Sequence, residues 1–288
     1  MTQRPIGRDT RVGVVQITSR DDVDQNLAAV ERTVRQAAAE GAELILVPEC
    51  FSFLGPEQGK LDLAETLGGD GPIFRRCAEL ARSLSCDVVF GGFWERGSTR
   101  SHVFNTCLHL GPDGTVRAAY RKVHLFDVDL EDGTRVMESD TIEPGNELVV
   151  TDTPFGKLGL SICYDLRFPE LYRALVDQGA IALAVPAAFT LTTGKDHWHV
   201  LLRARAIEQQ CYVLAAAQTG THFGRRASYG HAMIVDPWGT VLAQCGEGEG
   251  AAVATVRPDV VEKIRAQLPS LRHRRPEVTR RAGTSSQG

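Results

Sequence analysis

The chain has 288 residues, about twice a common domain length, with 43% hydrophobic and 24% charged side chains, a composition that excludes a largely disordered, collagen-like or coiled-coil protein. Its 32 basic and 36 acidic residues leave a formal charge of −4, so no overall positive field draws nucleic acid or an anionic membrane to it. The seven cysteines are scattered without CxxC pairs, and no run approaches the roughly 20 apolar residues of a membrane span. Together with an N-terminus lacking an apolar signal segment, this predicts reduced thiols in a cytoplasmic protein without membrane or nucleic-acid partners.

In chain order, residues 11–18 read as a strand, and residues 24–40 as an amphipathic helix with Leu27, Val30, Val34 and Ala37 at helical spacing. A second strand at 44–47 stops at Pro48, and a helix at 72–84 starts with Pro72 and places Ile73, Cys77, Leu80 and Leu84 on one face. A strand at 87–94 follows. Residues 103–120 form two strands around Gly111-Pro112-Asp113-Gly114, whose Asp-Gly pair predicts an antiparallel hairpin and argues against a purely parallel sheet.

The second half alternates strand 157–162, helix 169–178, strand 180–185, helix 196–209 and strand 211–217. Two strands at 232–235 and 240–243 flank the turn Asp236-Pro237-Trp238-Gly239, and a last strand occupies 251–256. With strands spread through the chain and no Ser/Gly-rich linker, the pattern predicts one mixed α/β domain of two helix-covered sheets over residues 1–269. Residues 270–288 read as an Arg-rich tail holding Arg272, Arg274, Arg275, Arg280 and Arg281.

Cys163 ends an apolar strand just before a helix with Pro169 in its first turn, where backbone amides favour a thiolate and an oxyanion. Such a cysteine is either a nucleophile or an inert buried side chain. Glu49 follows strand 44–47 and Lys122 follows the hairpin. Each is either a functional strand-end charge or half of a structural ion pair. A Cys–His site would need a base among His124, His197 and His231.

The motifs Pro48-Glu49-Cys50, Tyr120-Arg121-Lys122-Val123-His124-Leu125-Phe126 and Cys163-Tyr164-Asp165-Leu166-Arg167-Phe168-Pro169-Glu170 resemble, in order, the three signatures of the nitrilase superfamily, the carbon-nitrogen hydrolases. The stretches 186–190, 197–212 and 228–239 are similar to its Nit branch, although His199 stands where the branch pattern has a glutamate. The resemblance implies an α-β-β-α sandwich that assembles as a homodimer or higher homo-oligomer and needs no metal or organic cofactor. It makes Glu49 the general base, Cys163 the nucleophile, and Lys122 with the Tyr164 backbone N–H the oxyanion site, with Glu138 in support.

The implied reaction is hydrolysis of the terminal carboxamide of a small carboxylate-bearing substrate by water, through a Cys thioester and with loss of ammonia. Deaminated glutathione is the first expected substrate. The same triad also serves ω-amidases of 2-oxoglutaramate-like acids, N-carbamoyl hydrolases and nitrilases, and an idle binding scaffold is the non-enzymatic alternative. Arg167 either pairs with a substrate carboxylate or forms a structural salt bridge. Phe189 and Thr190 either line the acyl pocket, as resemblance to a Nit substrate loop implies, or are ordinary loop residues. His222, Arg225 and Arg226 either reach the outer end of a long, anionic substrate or are solvated surface residues, and they are not counted among the site residues.

Overall fold

The computed structural model describes residues 7–129 and 135–278; Arg280 and Arg281 of the expected tail lie outside them. The first half contains β1 (Thr10–Ile17), α1 (Val23–Ala39), β2 (Leu44–Val47), a short α2 (Glu57–Asp62), α3 (Pro72–Leu84), β3 (Asp87–Arg96), β4 (Val103–Leu110) and β5 (Val116–Arg121). A small hairpin, β6 (Asp127–Asp129) and β7 (Arg135–Met137), leads to a 3-10 turn at Glu138–Asp140. Next come β8 (Val150–Thr153), β9 (Gly156–Leu160), a 3-10 turn at Cys163–Arg167, α4 (Pro169–Asp177), β10 (Ala182–Ala184), α5 (Leu191–Gln209) and β11 (Tyr212–Ala215). They are followed by β12 (Ala217–Thr221), β13 (Ala227–Tyr229), β14 (Met233–Val235), β15 (Val241–Gln244), β16 (Gly250–Val256) and α6 (Pro258–Gln267).

One sheet runs β13-β12-β1-β2-β3-β4-β5, with β16 also antiparallel to β1, and the other runs β15-β14-β11-β10-β9-β8. Side-chain alternation explains the layering. Val12, Val14, Leu44, Leu46 and Val89 point toward the second sheet and pack with Leu158 and Leu160. Their neighbours Val15, Ile17, Ile45, Val47, Val88 and Phe90 point the other way, onto α1 and α3. Helices α4 and α5 bring Leu171, Tyr172, Leu175, Trp198 and Leu202 to the core of the second sheet. The expected α-β-β-α sandwich is the observed architecture.

Local chemistry sets the helix starts. Asp22 caps α1 by accepting from Gln25 N at 3.0 Å. In α3, Pro72 supplies a preset φ at the first turn, and the buried Glu65 carboxylate accepts from Ile73 N and Phe74 N, both at 2.8 Å. The 4–5 hairpin turns as expected, with Gly114 at φ +72 and its N–H on Gly111 O.

Several boundaries differ from the sequence reading. Helix α5 starts at Leu191 rather than 196, because Gly194 lets the helix approach the Tyr229 ring where any Cβ would collide. The stretch 211–217 divides at Ala216, with β11 in one sheet and β12 in the other; every residue from Cys211 to Ala217 is buried, so hydropathy carries no mark of the crossing. The polar-flanked α2, β6, β7, β8, β13 and α6 were not expected. Beyond residue 269, Leu271 packs against the core and the Arg274 Nη1 lies 3.2 Å from Asp177 of α4.

Candidate active site

The C-terminal ends of β2, β5 and β9 converge, and each delivers one functional residue just past the end of its strand. Glu49, Lys122 and Cys163 are only 2%, 1% and 8% exposed, so their charges must be satisfied by one another. Lys122 Nζ donates to Glu49 Oε1 at 3.0 Å and lies 2.9 and 2.8 Å from the two Glu138 oxygens. Asn105 Nδ2 donates to Glu49 Oε1 and the Ala188 N–H to Oε2, each at 2.9 Å. The Cys163 thiol lies close enough to Glu49 for the carboxylate's charge to act on it. Glu138 is fixed in turn by the Phe126 N–H at 2.7 Å.

Burial is the largest influence on all three groups, and the neighbours decide the outcome. For Glu49, burial favours the neutral acid, but the Lys122 charge and the donated hydrogen bonds outweigh it and hold the carboxyl below its ordinary value. For Lys122, burial opposes the charge, while Glu138 and Glu49 prevail and hold the ammonium well above its ordinary value. For Cys163, burial and the Glu49 charge push the thiol well up, with Lys122 opposing. The resting arrangement is a neutral thiol beside an ionised base, which suits proton transfer at the moment of attack.

Cys163 has φ +47, a conformation costly for a residue with a Cβ, and its N–H is bonded to Pro186 O at 2.9 Å. It is the first residue of a 3-10 turn, so the N–H of Tyr164 belongs to the open first turn, where donors have no partner within the helix. Beneath this turn the buried Asp165 accepts from Tyr120 Oη at 2.7 Å, His124 N at 3.1 Å and Ile162 N at 2.8 Å, and lies 2.7 Å from His124 Nδ1. Asp165 therefore ties the segment that carries Lys122 to the turn that carries Cys163.

A narrow cavity opens over Cys163, Glu49, Glu138 and Tyr164, and Arg167, Phe189 and Thr190 stand in its wall. All the site residues expected from sequence are thus brought together. Arg167 lies over the Phe189 ring at 5.1 Å and 3.2 Å from His197 Nδ1, and it has no carboxylate partner among the described residues.

The sequence reading missed Asn105, Phe126, the Ala188 N–H and Thr193. Asn105 had a signal, as a polar residue in the apolar strand β4; the others sit in loops or a helix turn without one. For Arg226 and His222 the solvated alternative does not hold. Arg226 is half-buried in the cavity wall. His222 is buried between Ser19 O and Ser228 Oγ, each at 2.8 Å, and burial lowers its pKa to about 4. Of the three histidines weighed as bases, His124 faces Asp165, His197 faces Arg167 and His231 lies 3.0 Å from Tyr229 O. Among the described residues no group of three or more His, Cys, Asp or Glu side chains is arranged to hold a metal ion.

The sequence profile of the carbon-nitrogen hydrolase family matches residues 11–266. A deaminated glutathione amidase of Synechocystis is 48% identical over 263 residues, covering 90% of this chain and 96% of that protein. The crystal structure of the Caenorhabditis elegans NitFhit protein superposes with a TM-score of 0.89 at 42% identity, over 95% of this chain and 67% of that one. A glutamate-to-glutamine variant of the Nesterenkonia amidase, with the acetamide moiety of fluoroacetamide on its active-site cysteine, superposes with a TM-score of 0.78 at 26% identity, over 98% and 99% of the two chains.

Proposed function

Because this chain belongs to the carbon-nitrogen hydrolase family and is an amidase, we propose that Cys163 is its nucleophile, Glu49 its general base and deaminated glutathione its substrate. The observation that carries the residue roles is the buried hydrogen-bonded line Glu49–Lys122–Glu138, with the Cys163 thiol beside Glu49 at the edge of the same cavity. The deaminated glutathione amidases among its relatives support the substrate, and Arg167, free of any carboxylate among the described residues, suits the acidic acyl chain.

An amide is a weak electrophile with a poor leaving group, so both attack and departure need help. In the proposed cycle Glu49 takes the Cys163 proton as sulfur bonds to the carbonyl carbon. Lys122 and the Tyr164 N–H stabilise the oxyanion, and Glu138 holds Lys122 in place. Glu49 then protonates the nitrogen, the C–N bond breaks and a thioester remains. Water gives a proton to the same carboxylate, adds to the thioester and releases the acid, and the thiol is restored. The leaving amine is ammonia for a primary carboxamide. For deaminated glutathione, whose scissile nitrogen belongs to a peptide, it is a dipeptide.

Phe189 and Thr190 shape the acyl side of the pocket in this reading. A homo-oligomer and a reducing, cytoplasmic location belong to the same proposal; the latter is supported by seven free, buried cysteines. No helix among the described residues is long and apolar enough to cross a membrane.

The test is product formation from deaminated glutathione and 2-oxoglutaramate, read by mass spectrometry for wild type and Cys163→Ala. Cys163-dependent turnover favouring deaminated glutathione is expected. A preference for 2-oxoglutaramate would move the substrate to the ω-amidase class, and full activity in folded Cys163→Ala would refute the mechanism. Cys107→Ala, which alters a buried cysteine of the core, is the control.

A further inference from the structure

A second, narrow cavity lies against Glu138 and Arg226, and these two residues are the part of its wall that it shares with the cavity over Cys163. Neither Cys163 nor Arg167 borders it; Phe53, Leu54, Trp94 and Ile142 give it an apolar surface, and Lys60 and Glu57 give it a polar edge. Lys60 is buried, ion-paired to Glu57, and lies 5.4 Å from the Trp94 ring centre. Its charge is therefore already met, as that of Glu138 is met by Lys122. Arg226 is different. It is half-buried, it reaches both cavities, and it has no ion-pair partner among the described residues.

An amide substrate has two halves, and the space over Cys163 with Arg167, Phe189 and Thr190 accounts for the acyl half alone. The substituent on nitrogen has to leave the catalytic centre by another wall. The wall formed by Glu138 and Arg226 also borders a space with apolar faces and a half-buried guanidinium, whose charge there acts on Glu57, a carboxylate already paired with Lys60. Partial burial strengthens such a guanidinium's attraction for a carboxylate, because less water competes for it.

Building on the amidase reading above, we propose that the second cavity is an amine-side subsite. It receives the departing half of the substrate, a short peptide bearing a carboxylate, and Arg226 pairs with that carboxylate. Arg226 then selects peptide amides over primary amides, whereas Arg167 serves the acyl end common to both.

The experiment compares kcat/KM of wild type and Arg226→Gln on deaminated glutathione, on the same molecule with its peptide carboxylate converted to an amide, and on 2-oxoglutaramate. The expected result is a loss on deaminated glutathione at least about tenfold greater than on the other two, the lower end for a guanidinium–carboxylate contact withdrawn from bulk water. Wild type should also prefer the free acid over its amide, and Arg226→Gln should lose that preference. Equal losses on all three substrates, or no loss on any, would overturn the subsite. Failure of folded wild type to hydrolyse any of the three would instead overturn the amidase substrate reading on which it rests, so the two failures are told apart.

Discussion

Lys122→Met tests whether the ionised Glu49 is sustained by its neighbours or by its position alone. The substitution keeps most of the side-chain volume but removes the ammonium that lies 3.0 Å from Glu49 and 2.8 Å from Glu138. Removing one partner from a buried charge pair costs about 3–5 kcal/mol, because the remaining charge stays desolvated. The pH dependence identifies the cause. In wild type the folded pKa of Glu49 lies below the ordinary 4.5, so its contribution to stability is present above the unfolded value and is lost as pH falls through the folded one.

In Lys122→Met, burial, already the largest influence on Glu49, acts without the opposing cation and carries the folded pKa above 4.5. The penalty is then absent below the unfolded value, where both states are protonated, and grows as pH rises until it levels off above the new folded pKa. Over that window the difference changes by up to about 1.4 kcal/mol per pH unit. Lys122 itself adds no slope there, since its pairing is lost only as pH rises through a folded value well above 10.5. Urea unfolding of both proteins at pH 5, 6, 7 and 8 should give a stability gap of about 3–5 kcal/mol at pH 8 that narrows toward pH 5. A gap independent of pH, or one that widens toward pH 5, would refute the reasoning.

Asp165→Asn should lower kcat by about a hundredfold with little change in KM, since Asp165 acts on geometry between Lys122 and Cys163 and a small misplacement of reacting groups has that effect. A matching fall in the rate of Cys163 alkylation by iodoacetamide would separate this positioning role from a general loss of folded protein. Glu65→Ala should destabilise the fold by about 1–2 kcal/mol, through loss of the carboxylate at the start of α3, while leaving kcat unchanged; the urea midpoint and steady-state rate measure both.

Much of this molecule is written in local pattern. The helix at 72–84 was legible to the residue because Pro72 marks its start and Ile73, Cys77 and Leu80 recur at its period. Strand 44–47 was equally clear, since Pro48 ends its apolar run. Glu49, Lys122 and Cys163 stood out as chemistry at the ends of such runs, and their motifs carried the family resemblance. The resemblance supplied their grouping, which sequence does not reveal for partners as far apart as Glu49 and Lys122, 73 positions from one another.

What tertiary structure decided is what depends on distant surfaces meeting. The hydropathy of residues 211–217 is uniform, so the passage from one sheet to the other at Ala216 follows from which strands accept β11 and β12 as neighbours. Helix α5 gains its first turn from the contact of Gly194 with Tyr229, a residue in β13. Arg226 looks like a surface charge in sequence and becomes part of a cavity wall only when its loop folds over Glu138 and Glu57. Sequence periodicity records which face of an element avoids water; burial of a charge depends on the partners brought to it, and those partners are set by the packing of both sheets.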